Sequence, residues 1–127
     1  MLVLLFFSFW QPSLSQVQTQ KPVYVTLHEN MRAYYESLPV SYASEPDKKF
    51  PLIVFLHGNG ERGDGSPTQL PRVLANGPPR LINQGKFPSS FNSNGENFSF
   101  FVISPQMKEI TNNLKAIDSL VKHCNKK

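Results

Sequence analysis

The side chains able to do chemistry crowd into one run, His57-Gly58-Asn59-Gly60-Glu61-Arg62-Gly63-Asp64-Gly65. Glycine alternates there with polar residues, so the backbone can take positive φ and its amides stay uncovered. Bare amides following a strand lie at the carboxyl end of a sheet, where open α/β sheets bind their ligands. His57 could serve as a general base, but it directly follows a strand. We therefore read it as a structural histidine hydrogen-bonded to loop backbone. Glu61, Arg62 and Asp64 do not make a calcium loop, which spaces its carboxylates at alternate positions and adds a bidentate Glu. The expectation for them is a Glu–Arg interaction that braces the loop. The run also lacks the Gly-Lys-Ser/Thr of a phosphate loop. No metal, nucleotide or other cofactor is expected.

Outside this run the chemistry is sparse. Cys124 is the only cysteine, which excludes an internal disulfide and a cysteine metal cluster. It reads as a plain half-buried thiol, and His28 and His123 as surface histidines. Asn97-Phe98-Ser99 fits a glycosylation sequon. The net charge of +4 is mild and its lysines and arginines are scattered. Nucleic-acid binders show a dense basic stripe with interleaved aromatics, so no nucleic-acid partner is expected.

The elements that must position the glycine-rich run follow from patterning. With 127 residues, 39% apolar and 12% aromatic, the chain suits one small globular domain. Residues 52–56, an apolar run, read as a strand buried on both faces. Residues 23–27 and 32–40 read as two antiparallel strands turning at Glu29-Asn30, and 42–49 as a surface loop. Residues 67–76 carry Leu70, Val73 and Leu74 at helical spacing, with Ser66 as N-cap and Gly77 as C′. Pro78-Pro79 should stop that helix, leaving one more turn over 80–84. Residues 87–97 read as a loop, and 98–104 as a second buried strand closed by Pro105. A last helix is expected, capped by Thr111 and striped by Leu114, Ile117, Leu120 and Val121. The fold class is α/β: two antiparallel strands, then β-α-β-α, with a parallel pair around the crossover.

Residues 1–10 are apolar apart from Ser8, and too short to span a bilayer. Gln11 and Pro12 break the run, and Ser13-Leu14-Ser15 places small residues at −3 and −1 before Gln16. Residues 1–15 are thus expected to be a secretory signal peptide, although no Lys or Arg precedes Lys21. That implies a secreted or periplasmic protein with no stable membrane span. Residues 16–21 read as a polar linker.

Taken together, Leu38-Pro39, Tyr42, the run from Phe50 to Asp64, Gly77-Pro78-Pro79, Gly85-Lys86-Phe87-Pro88 and Ile103-Ser104-Pro105-Gln106 resemble a known family. It is the secreted α/β-hydrolases of the polyhydroxybutyrate-depolymerase-like and feruloyl-esterase-like branch. The resemblance covers about residues 32–122. It implies that residues 22–127 are the amino-terminal part of an α/β-hydrolase sheet, in an exported esterase whose partner is a small-molecule or polymer ester. In that family the loop after this strand lends one oxyanion-hole amide. Carried over by position, the donor is the backbone of Asn59 or Gly60. The chain departs from the family in having no G-x-S-x-G, and so no nucleophile elbow and no catalytic triad of its own. An alternative is a non-catalytic secreted module binding a ligand at the same loop, or a gene remnant.

Overall fold

A computed structural model describes residues 16–109 and 114–126. The expected signal peptide and the Thr111 cap lie outside them. The chain runs through β1 (Gln20–His28), β2 (Met31–Ser37), β3 (Leu52–Val54), α1 (Gly77–Asn83), β4 (Phe91–Ser93), β5 (Glu96–Phe98), β6 (Phe101–Met107) and α2 (Leu114–Cys124). Short 3-10 turns cover Asn59–Glu61 and Leu70–Ala75. The main sheet has the order β1-β2-β6-β3, antiparallel except for the parallel β6–β3 pair. The domain is a small mixed α/β structure.

Alternation along the strands divides the core between two faces. Met31, Tyr34, Ile103 and Met107 pack with Ala116 and Leu120 of α2 on one face. Ala33 packs on Leu70 and Val73, and Val102 on Ile82 and Phe87, which belong to other clusters. Met31 and Tyr34 are an odd number of positions apart, yet share a face. The register between β2 and β6 shifts between them, and a bulge of this kind returns both side chains to the same side.

Several expectations need correction. Residues 52–56 do not form a strand buried on both faces. β3 is short and lies at the sheet edge, with Leu52 37% and Leu56 49% exposed. The strand covered on both sides is β6, buried from Val102 to Met107. Nor does Pro105 close it. The Phe101 amide donates to the Pro51 carbonyl, so residues 101, 103 and 105 turn their backbone groups toward β3. The pairing of β3 ends at Ile103, so Pro105 lacks an N–H only where no strand needs one.

The helix expected over 67–76 is instead a turn followed by 3-10 backbone, because Pro71 lies inside it and removes an amide. Pro78-Pro79 starts α1 rather than stopping a helix, since proline is pre-organised for a first turn. Gly77 takes φ +62°, and a Cβ there would fall 2.4 Å from the Phe55 ring, so both backbone and packing require glycine. The loop expected over 87–97 holds the β4–β5 hairpin. Asn94 (φ 52°) and Gly95 (φ 83°) supply the positive dihedrals of its two-residue turn. In α2 the packed stripe is Ala116, Ile117, Leu120 and Cys124, which share a sector of about 100° on the helical wheel. Leu114 lies outside that sector and is 69% exposed. Residues 16–21 are not a free linker, because Gln18 is buried and its Nε2 donates to Ser37 Oγ and the Phe100 carbonyl, each at 3.0 Å.

Candidate functional site

Beyond Phe55, whose amide donates to the Ile103 carbonyl at 2.9 Å, the chain leaves the sheet, but β6 continues to Met107. Its outward backbone groups there must find partners other than a strand. The loop supplies them. The Met107 amide donates to His57 Nε2 at 2.8 Å, and the Gly63 amide donates to the Met107 carbonyl at 3.1 Å. Accepting that bond leaves the ring proton on Nδ1, which donates to the Gly58 carbonyl at 2.7 Å. Both ring nitrogens of His57 are therefore occupied by backbone.

Gln106 holds the other end of the loop. Its fully buried side chain donates from Nε2 to the carbonyls of Glu61 (2.9 Å) and Gln69 (2.7 Å) and accepts from the Gly65 amide at 3.0 Å. A Cβ on Gly63 would come within 2.4 Å of that Nε2. Glycine is needed there so that backbone and amide can lie this close.

Glu61 and Arg62 do not brace each other, contrary to the sequence expectation. Glu61 is buried, and its carboxylate accepts from Asn76 Nδ2. Arg62 turns outward, donates from Nε to the Asn59 carbonyl at 3.2 Å, and pairs with Glu109 at 3.5 Å. Neighbours on a 3-10 turn point to different sides, which sends the two side chains to different partners. Asp64 closes a local turn by accepting the Ser66 amide at 2.9 Å. The Ser66 side chain and amide hold its carboxyl below the ordinary aspartate value of 3.8.

Asn59 and Gly60 sit exposed at the crest of the loop. Among the described residues no acceptor bonds either amide. They line an open groove of about 520 Å³ together with Arg62, Gly63, Asp64, Gln69, Arg72, Lys108 and Glu109. The groove can thus offer bare amides and cationic side chains to a negative group. Among the described residues no cluster of His, Cys, Asp or Glu is placed to hold a metal ion, and no helix is long and apolar enough to cross a membrane.

Gln106, Asn76 and the backbone of Met107 are the parts of the site that sequence reasoning missed. Each joins the loop from far along the chain. The one available signal was a polar Gln106 beside an apolar strand. His28 and His123, read as surface histidines, are half-buried: His28 Nδ1 accepts the Asn30 amide, and His123 packs edge-on against Tyr34. A comparison of the chain with protein-family models found no match, and a comparison with curated proteins found none.

Proposed function

We propose that this chain is the amino-terminal part of an exported serine esterase of the α/β-hydrolase fold, and that the Asn59–Gly60 crest is its oxyanion loop. The observation that carries this reading is the pair of unbonded amides after β3, on backbone anchored at both ends by His57 and Gln106. Oxyanion stabilisation asks for such a donor, held in place before charge develops. The sequence resemblance supplies the chemical class. In the intact enzyme a serine attacks an ester carbonyl, a histidine relays the proton, and the Asn59 amide donates to the alkoxide. The serine would come from a strand pairing with the open edge of β3, and this chain contains no G-x-S-x-G elbow to supply it. His57 has a supporting role only, because its ring lone pair is already taken.

The test is the natural gene product, purified and assayed with 4-nitrophenyl esters and a fluorophosphonate label. Gly58 is extended (φ −80°, ψ −176°) and Asn59 opens a 3-10 turn, so proline fits at 59 and removes only the amide proton. Asn59→Pro should lower kcat by about 10²–10³, whereas Asn59→Ala, which keeps the amide, should not. Equal effects, or a protein that neither turns over esters nor takes the label, would leave the non-catalytic binding module as the better account. Export predicts a mature terminus at Gln16, readable by mass spectrometry.

A further inference from the structure

We infer that the groove beside the Asn59–Gly60 crest is a carboxylate subsite, so that the ester taken there carries a negative charge on its acyl portion. The groove is lined by Arg62, Arg72 and Lys108 against Asp64 and Glu109. Arg62 is committed to Glu109 and to the Asn59 carbonyl. Asp64 is committed to the Ser66 amide.

Arg72 is different. One of its N–H groups donates to the Arg62 carbonyl at 3.0 Å, which leaves most of its planar fork free. Among the described residues no acceptor reaches the ammonium of Lys108. Lys108 is anchored by its backbone, whose amide donates to the Asn30 carbonyl at 3.0 Å, so the side chain starts from a fixed point. Two unspent cations and two bare amides therefore line the same groove. An arginine fork matches the two oxygens of a carboxylate, and a lysine adds a point charge. A neutral acyl chain would leave both cations without a partner.

The subsite deepens the esterase reading and is tested apart from it. Adipate is titrated into the natural protein and followed by amide chemical shifts, then repeated with Arg72→Gln/Lys108→Gln and with Lys108→Gln alone. Saturable binding that perturbs Asn59 and Gly60, weakened at least tenfold in the double variant, is expected. Lys108 makes no side-chain bond that folding needs, so its single variant should weaken binding by at least threefold even if the double variant unfolds. No saturation, or unchanged affinity in Lys108→Gln, would overturn the subsite. In parallel, turnover of mono-4-nitrophenyl adipate is compared with that of 4-nitrophenyl heptanoate. Adipate binding without turnover of either ester would sink the esterase reading and keep the subsite. Turnover with no preference for the adipate ester would sink the subsite and keep the esterase.

Discussion

The amide of Met107 donates to Nε2 of His57 at 2.8 Å, joining residues 50 positions apart. With the Gly63 amide on the Met107 carbonyl, this bond carries the sheet's hydrogen bonding past the end of β3. A loop thereby does what another turn of strand would have done, and its crest is left free of that duty.

Replacing His57 with alanine should therefore be felt as a loss of stability. The buried Met107 amide would lose its acceptor, at a cost of about 1–3 kcal/mol. Urea unfolding of the natural protein measures this. An unchanged midpoint at unchanged slope would mean that the ring does not hold the loop.

Gly63 and Gln106 should behave as one unit. Gly63→Ala drives a methyl group into the Gln106 amide, and such overpacking costs about 1–3 kcal/mol. Gln106→Ala leaves the Glu61 and Gln69 carbonyls and the Gly65 amide without their partner. Once that side chain is gone, the added methyl meets little. A double-mutant cycle should give a favourable coupling of about 1 kcal/mol or more. Simple additivity would place the two residues outside contact.

The open edge of β3 should make residues 16–127 self-associate when produced alone. Pro51 and Phe55 bond across to β6, so Leu52, Val54 and Leu56 turn their backbone groups to the open side. Leu52 and Leu56 are also exposed there, and such an edge templates further strands. The other edge, β1, carries Lys21 and Pro22, which blunt it. Val54→Pro removes an outward amide without touching the β6 ladder. Light scattering should show association of the parent and less of it in Val54→Pro. A parent that stays monomeric at all concentrations would show the edge to be harmless.

Asp64 gives the loop a pH dependence with a definite sign. Its folded pKa lies below 3.8, held down by Ser66. The carboxylate's contribution to loop order is present above the ordinary value and is lost as pH falls through the folded value. The Ser66 amide resonance should move in acid, below pH 3.8, and Asp64→Asn should abolish that movement. Movement confined to neutral pH would point to another group.

What the sequence determined by itself was local. Alternation over 23–27 and 32–40 specified a hairpin whose second strand ends at Ser37, and the turn at Glu29-Asn30 placed its bend. The apolar-to-glycine switch at His57 marked the loop, and uncovered amides there follow from glycine chemistry alone. Asn94-Gly95 has the residue types of a two-residue hairpin turn, but among the polar residues around it the segment read only as a loop. Tertiary structure decided the rest. Two apolar runs of similar composition became an edge and a centre, because strand order is set by which faces and edges other elements cover. Pro105 was admitted to a central strand because β3 stops before it, which no local rule contains. Glu61 met Asn76 and Gln106 met the loop through contacts 15 to 45 residues apart. Pattern and propensity act over a few residues. The satisfaction of buried polar groups is settled only when distant segments close on one another.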